Sequence, residues 1–229
     1  MYLITCTGDN YHYTKIAEKH GYKIGAQLPV TVYASLFFGD QNWKNPRRQQ
    51  YMQALAMYKP RMATVLDLER PEQLPEVMSW AEQASMFIEK VIIIPKYSGA
   101  ISKLPREING KQVVLGFSVP TKYAGTTVPT EEFSGWPVHL LGGNPFQQLT
   151  YSKKMGVVSV DCNFHLKMAN IGCQFFSLVP KYTARNPDWP TLLEADGRKW
   201  EWNGRFEAFR RSCLSIQDFW RHHGFRVSL

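Results

Sequence analysis

The stretch Val138-His139-Leu140-Leu141-Gly142-Gly143-Asn144-Pro145 is followed, one spacer later, by Val157-Val158-Ser159-Val160-Asp161-Cys162-Asn163. Each is an apolar run that stops abruptly at residues able to do chemistry. The spacer from Phe146 to Gly156 is long enough for one crossover helix, and strands joined in that way run parallel. Parallel strand ends one helix apart share a rim of a sheet or barrel, where catalytic residues collect. Asp161 is the leading candidate.

The same alternation extends through most of the chain. Strands are expected at Tyr2 to Cys6, Val30 to Phe38, Met62 to Leu66, Lys90 to Ile94 and Gln112 to Phe117. Helical patterns fall between them at Tyr13 to His20, Arg47 to Tyr58 and from Pro71 to about Ala84, with a weaker piece at Gly99 to Leu104. Pro46 and Pro71 suit helix starts. Phe164 to Ile171 supplies a helix after Asp161. Seven strand candidates with intervening helices argue for α/β with a mainly parallel sheet. A (β/α)8 barrel with one irregular or missed unit is the first expectation, and a doubly wound open sheet the second. Residues 181–229 change character and are expected to form a C-terminal extension packed on a catalytic barrel of residues 1–180. In that extension Phe206, Phe209, Cys213, Ile216 and Trp220 recur at helical spacing as an apolar stripe, and Arg205, Arg210, Arg211 and Arg221 fall largely outside it.

Charge narrows the range of partners. Lys plus Arg number 27 against 19 Asp plus Glu, for a net charge of +8, which favours polyanions and nucleic acid first. The basic C-terminal helix, together with Lys122, is the candidate contact for phosphates. Cys6, Cys162, Cys173 and Cys213 are scattered, without the paired spacing of a structural zinc site. Reduced cysteines suit the cytoplasm, and no run approaches the ~20 apolar residues that span a bilayer. No GxGxxG or P-loop is present, so no cofactor is expected. An aromatic strip at Trp200-Glu201-Trp202 would suit a homodimer.

Three carboxylates end strands: Asp40, Asp67 and Asp161. Carboxylates converging on one rim raise each other's pKa and can serve as acid, base or nucleophile. Each also has a structural alternative, a helix cap for Asp161 and a loop or turn for the other two. Gly142-Gly143 would let a flat ligand approach the backbone, or would simply make a tight turn. Lys96, after Pro95, could meet a phosphate or a base edge. His139, inside a strand, reads as a core or supporting residue rather than a catalyst. Ser118 sits in Gly116-Phe117-Ser118-Val119-Pro120, which is not a nucleophile elbow.

The order of strand ends resembles the tRNA-guanine transglycosylase superfamily. His139 to Pro145 and Ser159 to Asn163 resemble its consecutive late strands, the second carrying the nucleophilic aspartate in an Asp-Cys strand end. Leu66-Asp67-Leu68-Glu69 is similar to the strand whose aspartate reads the guanine edge, and Asp40 after Leu36-Phe37-Phe38-Gly39 matches the first catalytic aspartate. Leu115-Gly116-Phe117-Ser118-Val119 resembles the strand whose backbone contacts the base. The similarity spans roughly residues 30 to 172. The family's cysteine-rich zinc site is missing, Gln41-Asn42-Trp43 replaces the usual residues after the first aspartate, and Lys96 falls near the place of the base-reading glutamine. The chain resembles most the phage and bacterial branch that inserts 7-deazaguanines into DNA, and the missing zinc site points to DNA rather than tRNA.

The resemblance implies a pentosyltransferase that exchanges guanine for a 7-deazaguanine, in DNA rather than tRNA, in the cytoplasm (of the host cell if phage-encoded). Asp161 would be the nucleophile and Asp40 the charge-stabilising group or general base. Asp67, Glu69 and Lys96 would bind the base with Ser118, Gly142, Gly143 and Asn163. Two other readings remain open from the residues: an N-glycosidase of barrel fold using water as acceptor, and a nucleic-acid-binding protein without catalysis.

Overall fold

Barrel closure follows from the order of strand pairing. The computed structural model describes residues 1–121, 125–170, 175 and 202–228. Eight parallel strands close on themselves: β1 (Tyr2–Thr5), β2 (Lys23–Leu28), β3 (Phe38–Gln41), β4 (Met62–Thr64), β5 (Lys90–Ile93), β7 (Lys111–Ser118), β8 (Val138–Leu141) and β9 (Val157–Asp161). Neighbours in sequence are neighbours in space; β9 pairs with β1, and β5 with β7. The short β6 (Glu107–Ile108) is an antiparallel appendage of β7. Its two-residue turn, Asn109-Gly110, has positive φ at both positions (50° and 71°), as tight hairpins require. Closure excludes the open-sheet alternative. The fold is an α/β barrel with surrounding helices, consistent with a TIM-like barrel.

Helices α1 (Tyr11–Lys19), α2 (Arg48–Tyr58), α3 (Leu74–Ser85), α4 (Pro145–Ser152), α5 (Phe164–Asn170) and α6 (Trp202–His222) follow the sequence pattern closely. Asn10 caps α1 through its side chain, and Asn144 caps α4 in a reciprocal pair with Gln147, each satisfying otherwise orphaned backbone groups. The stripe on α6 is buried at Phe209, Cys213, Ile216 and Trp220 and packs on α1 and α5. The Tyr22 hydroxyl donates to the Cys213 carbonyl at 3.1 Å, and Tyr13 meets Phe209 edge-on with ring centroids 4.9 Å apart. The division expected at residue 180 lies outside the described residues. Among those described, no helix is long and apolar enough to cross a membrane.

Two expectations need correction. Val30 to Phe38 is not a strand: only Phe38 belongs to β3, while residues 29–37 run irregularly where a helix would otherwise join β2 to β3. Tyr58 secures that segment, its hydroxyl donating to Val30 O at 3.0 Å and accepting from Val32 N at 3.3 Å. The missed strand is β2, whose Lys-Ile-Gly-Ala-Gln-Leu alternates too weakly to resemble a β-branched run. The helix expected at Gly99 to Leu104 is a single 3-10 turn, Ile101–Lys103.

Most of the core lies between barrel and helices. A smaller cluster of Ile4, Phe38, Met62, Ile92, Ile94 and Val114 fills the barrel itself. Its width is limited: a Cβ on Gly116 would lie 2.5 Å from Ile94 Cγ1 and 2.9 Å from Leu141 Cδ1. Gly116→Ala is expected to lower unfolding stability by about 1–3 kcal/mol through overpacking, measured as a drop in the urea midpoint.

Candidate active site

The apolar fill stops short of the C-terminal rim, and polar side chains take over the inward positions. They line a cavity of about 420 Å³ that gathers Asp40, Thr64, Asp67, Lys96, Ser118 and Asp161. Gln41, Trp43, Glu69, Ile94, Gly125, Leu141 and Gly142 complete its wall. The three strand-end aspartates singled out in the sequence therefore share one space.

Asp161 is the last residue of β9, registered against Ile4 of β1 and Leu141 of β8. Its Oδ1 accepts from the Gly142 N–H at 3.2 Å and lies 3.5 Å from His139 Nε2. Its Oδ2 faces the Cys6 thiol at 3.8 Å. The positive φ of Gly142 (67°) and Gly143 (75°) makes the turn that presents this N–H. Gln148 on α4 clamps both strand ends, donating to the carbonyls of Gly142 and Asp161 at 2.8 Å each.

Asp40 accepts from the Thr64 hydroxyl at 3.0 Å, and that hydroxyl oxygen accepts from Gln41 N at 2.7 Å. Burial, then the Asp161 charge, push the Asp40 carboxyl up from 3.8 to about 7, with the Thr64 bond acting the other way. Desolvation also raises Asp67, against the pull of Lys96, whose Nζ is 3.4 Å from Oδ2. A carboxyl near 7 can give or take a proton at neutral pH.

The other expected residues divide. Glu69, Lys96, Ser118 and Gly142 line the cavity. Gly143 does not; it packs against Val119. Asn163 is turned towards β1, its Oδ1 accepting from Cys6 N at 3.0 Å. His139 is fully buried inside the barrel beneath Asp161. Arg210 and Arg211 both pair with Glu207 at 2.6 and 2.8 Å, and Arg221 pairs with Asp218 at 3.1 Å. They and Arg205 belong to α6, on the outside of the barrel and away from the cavity lining. Lys122, Cys173, Trp200 and Glu201 lie outside the described residues.

Sequence reasoning missed Thr64, Trp43 and Cys6. Thr64 could have been found by alternation from Met62, which points into the barrel. Trp43 carried the signal of a large aromatic just past a strand end, and it is half exposed. Gln27, on the unrecognised β2, is exposed and registered beside Asp40. Cys6, Cys162 and Cys213 are free. Among the described residues no three His, Cys, Asp or Glu side chains come close enough to hold a metal ion.

A family model described as "Family of unknown function (DUF6610)" matches residues 17–221. No curated protein matches the chain.

The raised Asp40 carboxyl makes stability depend on pH. Its folded value of about 7 exceeds the ordinary aspartate value of 3.8, so the folded state holds the proton more tightly. Stability therefore declines as pH rises from about 4 to 7, and the penalty is complete above 7. At roughly 1.4 kcal/mol per pKa unit this amounts to a few kcal/mol. Asp40→Asn should flatten that slope, gaining stability at pH 8 relative to wild type but little at pH 4, by urea unfolding.

Proposed function

The chain belongs to the family of unknown function DUF6610, and we propose that it is a nucleic-acid guanine transglycosylase of TIM-like barrel fold. It would exchange guanine for a 7-deazaguanine in DNA. One observation carries the reading: Asp161, with one oxygen tied to a backbone N–H, faces the same cavity as a protonatable Asp40 and an Asp67–Lys96 pair. A nucleophile, a proton carrier and a base-reading edge are the parts that base exchange needs.

In this mechanism an Asp161 oxygen bonds to the sugar C1′ as the C1′–N9 bond breaks, giving a covalent glycosyl-enzyme. The departing guanine takes the electron pair on N9 and a proton from Asp40. The incoming 7-deazaguanine then returns its N9 proton to Asp40 as N9 attacks C1′ and releases Asp161. General acid–base help of this kind contributes about 10² to 10⁴ in rate. Asp67 would accept from the amide and amine N–H groups of the base, while Lys96 donates to its carbonyl oxygen. That pairing favours a 6-oxopurine over adenine, which has no carbonyl to offer. A guanine inside a duplex must first be flipped out, costing a few kcal/mol. The +8 charge of the chain favours holding the phosphate backbone meanwhile.

The test is incorporation of radiolabelled guanine into duplex DNA, with tRNA in parallel. Label is expected in DNA with wild-type protein, falling at least ~10³-fold in Asp161→Ala, since removing a covalent nucleophile cripples the whole unit. Release of free guanine without incorporation would make the protein an N-glycosidase. Equal incorporation by Asp161→Ala would overturn the mechanism. Lys96→Ala should weaken guanine binding about 10- to 100-fold, the worth of a charge-assisted hydrogen bond, as read by calorimetric titration; Lys96→Gln should recover part of it.

A further inference from the structure

We propose that His139 is a positioning residue for Asp161: an imidazole with a proton on Nε2, supported by Ser159 and directed at the carboxylate from inside the barrel. The imidazole is fully buried, as is Ser159. Nδ1 lies 2.8 Å from Ser159 Oγ, within hydrogen-bond distance. Nε2 has no hydrogen-bond partner and faces Asp161 Oδ1 at 3.5 Å. The ring packs on Phe38 with centroids 4.8 Å apart, which restricts its tilt.

The tautomer follows from these neighbours. Protonation at Nδ1 would turn a bare lone pair of Nε2 towards a carboxylate oxygen inside a region of low dielectric. Protonation at Nε2 instead aims a donor at that oxygen and leaves Nδ1 to accept from Ser159. The serine hydroxyl can rotate to serve either form, so the carboxylate decides and the serine follows.

The two oxygens of Asp161 thereby become unequal. Oδ1 accepts from the Gly142 N–H and has the imidazole Nε2 3.5 Å away, whereas Oδ2 meets the weak thiol donor of Cys6 at 3.8 Å. An anchored Oδ1 fixes the plane of the carboxylate and leaves Oδ2 as the freer oxygen. The catalytic value of this arrangement rests on the transglycosylase reading; the pairing itself does not.

The test uses the full chain labelled with 15N-histidine and ring-nitrogen NMR in the absence of substrate. His139→Gln identifies the His139 resonances among those of the six histidines. A protonated Nε2 is expected in the wild type and in Ser159→Ala, with a shift of the Nε2 signal in Asp161→Asn. An unprotonated Nε2, or an Nε2 signal indifferent to Asp161→Asn, would overturn the pairing. If His139→Gln does not fold, Ser159→Ala and Asp161→Asn identify the same resonances. In base exchange, His139→Gln should lower kcat at least tenfold with KM unchanged; an unchanged kcat would overturn the positioning role. The expected spectrum in a protein that exchanges no base would uphold the pairing and overturn only the transglycosylase reading.

Discussion

Pairing of β5 with β7 closes the sheet, and the rest of the molecule adapts to that closure. A closed parallel sheet has no free edges, but it encloses a narrow interior that must be filled. Ile4, Phe38, Met62, Ile92, Ile94 and Val114 supply the fill, and Gly116 yields space to Ile94 and Leu141. Apart from the buried His139 and Ser159 this plug is apolar and tight, and it separates the C-terminal rim from the other end of the barrel. The polar residues that end the strands are wetted from one side alone.

That one-sided solvation gives the cavity its electrostatics. Burial raises both Asp40 and Asp67, and the Asp161 charge adds to the effect at Asp40. Each carboxylate meets this cost differently. Asp67 has the Lys96 ammonium, Asp161 has a backbone N–H, and Asp40 has the Thr64 hydroxyl with a lesser contribution from the Gln41 backbone. Asp40 and Asp67 thus hold a proton more readily than an exposed carboxyl, Asp67 with a cation beside it to oppose the shift, and such differences in surroundings let carboxylates divide catalytic roles.

The strand ends were the most legible part of the sequence. Runs such as Val138 to Leu141 and Lys90 to Ile93 are continuous and apolar because both faces of a barrel strand are covered. Their stops at Gly142 and Pro95 mark where the rim begins. β2 escaped notice because its inward positions hold Lys23, Gly25 and Gln27, residues that suit a crowded interior or an open rim rather than a strand pattern. Val30 to Leu36 misled for the opposite reason: its apolar and aromatic residues cover the outside of the barrel without joining the sheet.

The sequence by itself determined the kind of fold and the carboxylates to watch, since hydrophobic periodicity and abrupt polar stops are local properties of the chain. It also marked the helix starts, because Asn10, Asn144 and the prolines act on their own neighbours. Only the tertiary structure decided which residues meet. Asp40 and Asp161 stand 121 positions apart in sequence and come to one cavity because ring closure carries β9 back to β1. The donors on Asp161 come from the residue after β1 and the turn after β8, and the shift of Asp40 comes from burial and from the charge of a distant strand. Proximity and desolvation belong to the closed ring, not to any segment of the chain.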